Sequence, residues 1–260
     1  MPMTPPTLTD LISLAHQAGE ILRTSFGQIL QVDHKGIIDL VSDADLRSEQ
    51  FLVSHILEHY PGDTIMAEES GKHMGTADHA WYIDPLDGTV NYVHGLPIYS
   101  VSIGYAEGSQ MRLGVVYDPS RDETFSAQLG KGAWLNGQPI HPSSTSDLDH
   151  AFLNTGFPYD IRTNPDNNLD HYAYFATHSQ AVRRLGSAAL ELCYVGCGRF
   201  DGYWELWVKS WDVAAGGLIA QEAGAKVTNI RGGADFISPP QSILAANPLL
   251  HPLMLNGLNR

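Results

Sequence analysis

The chain has 260 residues, 43% of them hydrophobic and 17% charged, enough apolar material for one large domain or two close-packed lobes and too much for wholesale disorder. A formal net charge of −14 argues against a nucleic-acid backbone as the main partner, and bound cations would neutralise part of the acid. The two cysteines, Cys193 and Cys197, are too few for a disulfide framework; their i, i+4 spacing in an apolar helix makes them small core residues.

From the start of the chain, Met1-Pro2-Met3-Thr4-Pro5-Pro6 lacks the basic region of a signal peptide. No apolar run approaches the roughly 20 residues that span a bilayer, so a cytoplasmic protein with no membrane partner is expected. Thr7 with Asp10 three residues on marks a helix start, and Leu8, Leu11, Ile12, Ala15, Ile21 and Leu22 trace its apolar face toward Gly27. Residues 32–45 read as a hairpin or a bent strand pair, with Ser42 or Asp43 capping a second helix. That helix turns Leu52, Val53, Ile56, Leu57 and Tyr60 inward and stops at Pro61-Gly62. It carries His55-x-x-Glu58-His59, a spacing seen in some zinc peptidases. These three residues lie opposite the apolar stripe, where polar residues belong anyway, so a solvated face is expected.

Residues 64–70 read as a strand ending in the paired carboxylates Glu68 and Glu69, and Trp81-Tyr82-Ile83 as a short buried strand that delivers Asp84 to its end. Pro85 breaks the pairing, and Asp87-Gly88 is a tight-turn dipeptide, so two carboxylates sit on a rigid corner with the Leu86 carbonyl between them. Carboxylate and carbonyl oxygens at fixed separations suit Mg²⁺, or Mn²⁺ in its place. Gly88 admits a close ligand, and a helix starting at Thr89 would offer N–H groups to an anion. Together these features point to a phosphate ester held against divalent cations; the alternative is a turn with two solvated aspartates.

Residues 98–105, 111–117, 124–127 and 132–135 form an apolar or alternating strand series, with turns at Asp118-Pro119 and Asn136-Gly137, so an antiparallel sheet is expected. Pro142-Ser143-Ser144-Thr145-Ser146 is the best seam between lobes. Beyond it, strands near 151–155, 200–206, 226–230 and 242–246 alternate with helices near 168–178, 187–196, 213–223 and 248–258. Asp212 falls in the first turn of the third of these helices. There a carboxylate is favoured by the helix dipole, a capping role that explains it when it is taken alone.

Taken together, these residues resemble the inositol monophosphatase family, part of the lithium-sensitive, Mg²⁺-dependent phosphatase superfamily. The resemblance rests on Trp-x-Ile-Asp-Pro-Leu-Asp-Gly-Thr-x-Asn-Tyr at 81–92 and Trp-Asp-Val-Ala-Ala-Gly-Gly-Leu-Ile-Ala-Gln-Glu-Ala-Gly at 211–224. Lys35 with Asp39-Leu40-Val41-Ser42-x-x-Asp45, and Glu68-Glu69-Ser70, stand in the family order, so the match covers almost the whole chain. It implies an α/β fold, a layered αβαβα sandwich. One phosphatase domain would span residues 1–260, with an α+β lobe over about 1–145 and an α/β lobe over about 146–260.

Site roles follow from the same resemblance. Glu68, Asp84 and the Leu86 carbonyl are implied ligands of a first Mg²⁺, and Asp84, Asp87 and Asp212 of a second. Glu68 would also hold a weaker third Mg²⁺ through water, and so belongs to the catalytic set. Asp45 and Thr89 are the implied pair that orients and deprotonates the attacking water. The Gly88 and Thr89 amides would grip phosphate, Ser187 and Ala188 would lie on the substrate side, and Glu205 would bind inositol hydroxyls. Lys35 and Glu69 would support the charged centre, and Lys209 would lie at the pocket rim.

Three positions depart from the usual pattern: Ala67 for Gly, Ser42 for Thr and Tyr92 for Phe. Each keeps size or hydroxyl chemistry. Asn91-Tyr92 favours an inositol phosphatase over a nucleotide 3′-phosphatase, with histidinol phosphate and fructose 1,6-bisphosphate as alternative substrates and a non-catalytic binding protein as the rival class. The expected partner is a small phosphate monoester, and many members of the family are homodimers.

Overall fold

A computed structural model describes residues 4–28, 32–34 and 40–260; Lys35 and Asp39 lie outside them. In chain order the elements are α1 (Leu8–Ser25), β1 (Val32–His34), β2 (Leu40–Ser42), α2 (Asp43–His59), β3 (Thr64–Ala67), β4 (Gly71–His73), β5 (His79–Asp87), α3 (Thr89–Val93), β6 (Ser100–Glu107), β7 (Gln110–Asp118), β8 (Glu123–Gln128), β9 (Gly132–Leu135), β10 (Gln138–Pro139), β11 (Phe152–Thr155), α4 (Leu169–His178), β12 (Ala181–Arg183), α5 (Ala188–Gly196), β13 (Gly202–Leu206), α6 (Ser210–Ala223), β14 (Lys226–Thr228), β15 (Ser242–Ala246) and α7 (His251–Leu258).

The strands form a β1–β2 pair, an eight-stranded sheet ordered β10-β9-β8-β7-β6-β5-β3-β4 and a five-stranded sheet ordered β12-β11-β13-β15-β14. The connection between the two larger sheets, residues 140–151, contains Pro142-Ser143-Ser144-Thr145-Ser146. Three apolar clusters define the layers. In one, Leu11, Leu14, Ala18 and Leu22 of α1 and Leu52 and Ile56 of α2 pack on Trp81, Ile83, Val101, Ile103 and Val115 of the large sheet. In the second, α5 and α6 fill the space between the sheets. In the third, Phe175 of α4 and Met254 of α7 cover the far face of the small sheet against Trp204 and Leu244. The order is helices, sheet, helices, sheet, helices, as the resemblance implies. No helix among the described residues is long and apolar enough to cross a membrane.

Two helix starts are built as expected. Thr7 and Asp10 form a capping box on α1, and Ser42 and Asp45 form one on α2. Cys193 is buried among α5 core residues, and Cys197 packs at its edge.

Other expectations need correction. The strand at Trp81 is not three residues long but nine, and Pro85 lies inside it. Pro85 is tolerated because the register with β6 breaks between Asp84 and Asp87, so no ladder N–H is required there. The strands over residues 98–135 do pair antiparallel, but the same sheet extends beyond them to β3, which runs parallel to β5 with Ala67 opposite Ile83. This pairing brings the end of β3, and so Glu68, beside Asp84. Helix α6 runs from Ser210, so that Asp212 lies in its first turn as expected, but α7 begins at His251, three residues later than expected.

Helix α6 approaches the large sheet unusually closely. Gly104 and Gly114 face each other on β6 and β7, and a Cβ on Gly114 would meet the Ala215 carbonyl oxygen at 2.8 Å. Two bare backbones thus let the helix settle onto the strands, with Asp212 in its first turn near the end of β5.

Candidate active site

A cavity of about 620 Å³ opens where the ends of β3, β5 and β13 meet the N-termini of α5 and α6. Glu68, Asp84, Leu86, Asp87, Gly88, Thr89, Ser187, Ala188, Glu205 and Asp212 all line it, and Lys209 and Arg184 add positive charge. Residues separated by up to 144 positions in sequence are therefore brought to one wall. Asp45 is fully buried behind it, joined to the cavity through Thr89.

The first wall belongs to β5 and α2. The Asp84 carboxylate accepts the Leu86 N–H at 3.0 Å, which folds the strand end back on itself. Gly88 follows with φ +99°, the left-handed region, and a Cβ there would lie 2.8 Å from the Ile98 carbonyl oxygen. Helix α3 starts at once with Thr89. The Thr89 hydroxyl lies 2.9 Å from Asp45 Oδ1 and 3.0 Å from the Leu86 carbonyl oxygen. The other oxygen of Asp45 accepts the Ser42 N–H at 2.9 Å and the Ser42 hydroxyl at 2.5 Å. The capping acid of α2 is therefore also the partner of Thr89. Burial pushes Asp45 up to about 6, while the Ser42 and Thr89 donors pull the other way.

The second wall belongs to α5, α6 and β13. Asp87 reaches the start of α5, where its carboxylate accepts from the Ser187 hydroxyl at 2.6 Å and the Ala188 and Ala189 amides at 3.2 and 2.8 Å. Ser187 and Ala188 thus stand on the cavity wall, but the Ser187 hydroxyl and the Ala188 N–H are spent on Asp87. Asp212 accepts the Lys209 N–H at 2.7 Å.

The acids perturb one another. Asp84 is pushed well above the carboxylate range, first by burial and then by Glu68, Asp87 and Asp212. Asp212 rises in the same way, with Glu68 its strongest acidic neighbour. Burial moves Asp87 up to about 6 against its four donors, the Ser187 and Ser100 hydroxyls and the Ala188 and Ala189 amides. Two carboxylates about 4 Å apart repel by about 4 kcal/mol at an effective dielectric near 20, so such a cluster is costly without cations.

The donor set, carboxylates with one carbonyl, suits a hard divalent cation such as Mg²⁺. As the side chains stand, no three His, Cys, Asp or Glu groups among the described residues converge on a metal-holding point. Asp84, Asp87 and Asp212 each spend oxygen on a backbone N–H, so a cation would have to draw their free oxygens together.

Sequence reasoning missed the support behind this site. Glu49, buried on α2, accepts the Glu69 and Ser70 amides at 2.7 and 2.6 Å and so fixes the chain just after Glu68. The neighbouring Ser48 hydroxyl donates to the Pro85 carbonyl oxygen at 3.0 Å. The available signal was that Asp45, Ser48 and Glu49 are polar residues on the inward face of α2. By contrast, His55 and His59 stack on each other at 4.0 Å at the solvent side of that helix, away from the cavity.

Comparison with known proteins agrees with this architecture. The chain is 38% identical over 256 residues to the Nus factor SuhB of Salmonella typhimurium strain LT2, covering 97% of this chain and 96% of the relative. It is 44% identical over 214 residues to the inositol-1-monophosphatase of Synechocystis, covering 81% and 74%. The crystal structure of the extragenic suppressor protein suhB from Bartonella henselae superposes with a TM-score of 0.90 at 34% identity, covering 96% of this chain and 97% of that one. Residues 6–259, which contain every described wall of the cavity, match the profile of the inositol monophosphatase family, and the chain belongs to that family.

Proposed function

We propose that the protein is a Mg²⁺-dependent phosphomonoesterase that hydrolyses inositol 1-phosphate or a similar polyol or sugar phosphate. The observation that carries this reading is the buried Thr89–Asp45 pair, 2.9 Å apart, at the edge of a cavity lined by Glu68, Asp84, Asp87 and Asp212. Phosphomonoester hydrolysis is among the slowest uncatalysed reactions, with accelerations up to about 10²¹, so a site for it needs several aligned effects.

Each effect has a residue. Glu68, Asp84, Asp87, Asp212 and the Leu86 carbonyl would hold two to three Mg²⁺ ions, with Mn²⁺ a substitute. Bound there, the cations lower the pKa of water and offset charge on the phosphoryl group. Thr89 orients the attacking water, and Asp45 takes its proton through the Thr89 hydroxyl. An acid pushed up to about 6 suits a base that must release that proton again near neutral pH. The Gly88 and Thr89 amides hold phosphate, and Ala188 and Glu205 face the rest of the substrate. Ser187 serves mainly by holding Asp87. Glu69 supports the centre from its edge. The whole chain acts as one phosphatase domain, with lobes about residues 1–145 and 146–260, in a cytoplasmic homodimer.

The relatives favour a second reading enough to test it. One carries the name of an inositol-1-monophosphatase and another that of a Nus factor, so family membership does not by itself fix the activity. A protein acting only by binding has no need of a buried Thr–Asp pair facing an acidic cavity. Phosphate release should be measured from inositol, histidinol, sugar, bisphosphate and nucleotide esters, with and without Mg²⁺. Release that is Mg²⁺-dependent and fastest with a polyol phosphate is expected. No release from any ester would overturn the enzymatic reading, and fastest release from histidinol phosphate or fructose 1,6-bisphosphate would reassign the substrate.

A further inference from the structure

Glu205 reaches the cavity because its neighbours make room for it and hold it. It follows Tyr203 by two residues on β13, so both side chains leave the same face of the strand. Tyr203 is fully buried, and its phenol O–H donates to Glu205 Oε2. Across the sheet, Gly156 follows the end of β11. A Cβ on Gly156 would fall 2.2 Å from the Glu205 carboxylate carbon and from both of its oxygens. Gly156 is not in the left-handed region, so glycine is required there for space and not for backbone conformation.

The surroundings would otherwise disfavour this pose. Glu191 lies nearby, buried on α5, its carboxylate accepting the Leu185 N–H at 2.9 Å. Burial and Asp87 push Glu205 up to about 7, while the Tyr203 hydroxyl and Arg184 oppose that rise. Without the phenol donor and the gap at Gly156, the carboxylate would gain by leaving the cavity wall.

We propose that Tyr203 and Gly156 are positioning residues for substrate choice: they hold Glu205 against the cavity with one oxygen engaged and the other left to accept a hydroxyl of the substrate. The selected class is a phosphate monoester with a ring or chain hydroxyl at a fixed distance from its phosphate. A simple aryl phosphate, which lacks that hydroxyl, gains nothing from the arrangement. The inference rests on the phosphatase reading and deepens it.

Tyr203→Phe keeps the ring in the core and removes only the donor. Steady-state kinetics on inositol 1-phosphate and 4-nitrophenyl phosphate should show KM for the first rising about tenfold, with kcat changed less than threefold and KM for the second far less affected. Gly156→Ala should give the same split. In a Glu205→Gln background, Tyr203→Phe should add nothing. Thermal melting of each variant separates this pattern from loss of fold, which would lower turnover of both substrates together. Parallel losses on both substrates in folded variants, or no change on either, would overturn the proposal.

If the wild-type protein releases phosphate from neither substrate, the phosphatase reading fails. Calorimetric titration with inositol 1-phosphate then decides the inference separately. About tenfold weaker binding to Tyr203→Phe supports it, and equal affinity, or no binding to the wild type, overturns it.

Discussion

Two kinds of buried acid coexist in this molecule. Asp118, fully buried at the end of β7, accepts the Ser120 amide at 2.9 Å, the Ser120 hydroxyl at 2.6 Å, the Arg121 amide at 3.1 Å and the Arg121 guanidinium at 2.9 Å. Asp63 accepts the Trp81 indole N–H at 2.9 Å, and Glu49 takes two amides. Two of the cavity acids are treated differently. Asp84 and Asp212 are given one amide donor each, and their strongest electrostatic neighbours are other acids. Structural acids are compensated by donors from within the protein, as Asp87 is by four, whereas Asp84 and Asp212 are left short of donors. The shortfall, not the burial, marks the site.

The contrast breaks most visibly by neutralising one acid of each kind. Asp212→Asn or Asp87→Asn should lower turnover at ordinary Mg²⁺ by more than about a hundredfold, equivalent to roughly 3 kcal/mol of barrier. Circular dichroism should be unchanged, and melting of the metal-free Asp212→Asn protein should hold or rise, because a repulsive charge has gone. Asp118→Ala should do the reverse, costing about 1–3 kcal/mol of stability through its lost hydrogen bonds while sparing turnover per folded molecule. Near-normal turnover of Asp212→Asn would remove that residue from the metal set.

The same contrast predicts how stability depends on pH. Asp45 and Asp87 are pushed up to about 6 and Glu205 to about 7, above the values near 4 expected in the unfolded chain. Folded protein therefore holds protons that unfolded protein has released. The stabilising contribution is complete below about pH 4 and is lost as pH rises through 6 to 7. Each group contributes about 1.4 kcal/mol for every tenfold gain in its proton affinity on folding. Metal-free protein in chelator should melt several degrees lower at pH 8 than at pH 5. Added Mg²⁺ binds the ionised acids, so its stabilising effect should be larger at pH 8. A melting temperature that rises with pH in chelator, or a Mg²⁺ effect larger at pH 5, would show that folding does not raise the proton affinity of these acids.

Much of the uncompensated set was legible because it is local. Asp84, Leu86, Asp87, Gly88 and Thr89 lie within six residues at one strand end, where turn chemistry restricts the backbone. Asp212 was legible as a helix-start acid, and gained a role only through the family motif around it. The supporting contacts were hidden because they cross the fold. Ser187 meets Asp87 across 100 residues, and Glu49 meets the Glu69 amide across 20. The need for glycine at 156 appears only once Glu205 has been placed beside it. Strands β4, β10 and β12 were missed because two or three residues carry no readable period.

A smaller effect sharpens the role of the α5 start. Ser187→Ala removes the 2.6 Å donor from Asp87 and leaves the two amides and the longer Ser100 hydroxyl contact. The Ser187 side chain makes no capping bond to its own helix, so helix stability should change little. With its carboxylate less fixed, Asp87 should hold Mg²⁺ several-fold more weakly, read as a rightward shift in Mg²⁺ titrations of both activity and melting temperature. Loss of turnover with an unshifted Mg²⁺ dependence would place Ser187 on the substrate side alone.

The smallest effect is expected at the two histidines of α2, whose spacing resembles a zinc motif. Replacing His55 and His59 with Ala together should change stability by no more than about 0.5 kcal/mol. Two opposing terms set that expectation. Alanine is the better helix former, which favours the variant by a few tenths of a kcal/mol at each position. Against this, His59 lies in the last turn, where its charged form favours the helix dipole by about 0.3–1 kcal/mol, and the stacked pair is lost. Burial and the His59 charge hold His55 below its ordinary range, so little of its positive charge is present at neutral pH to be removed. Turnover and its Mg²⁺ dependence should be those of the wild type, because neither ring lines the cavity. A turnover loss restored by Zn²⁺ would show instead that this face of α2 is a second metal site, and that the two kinds of acid do not exhaust the chemistry of the chain.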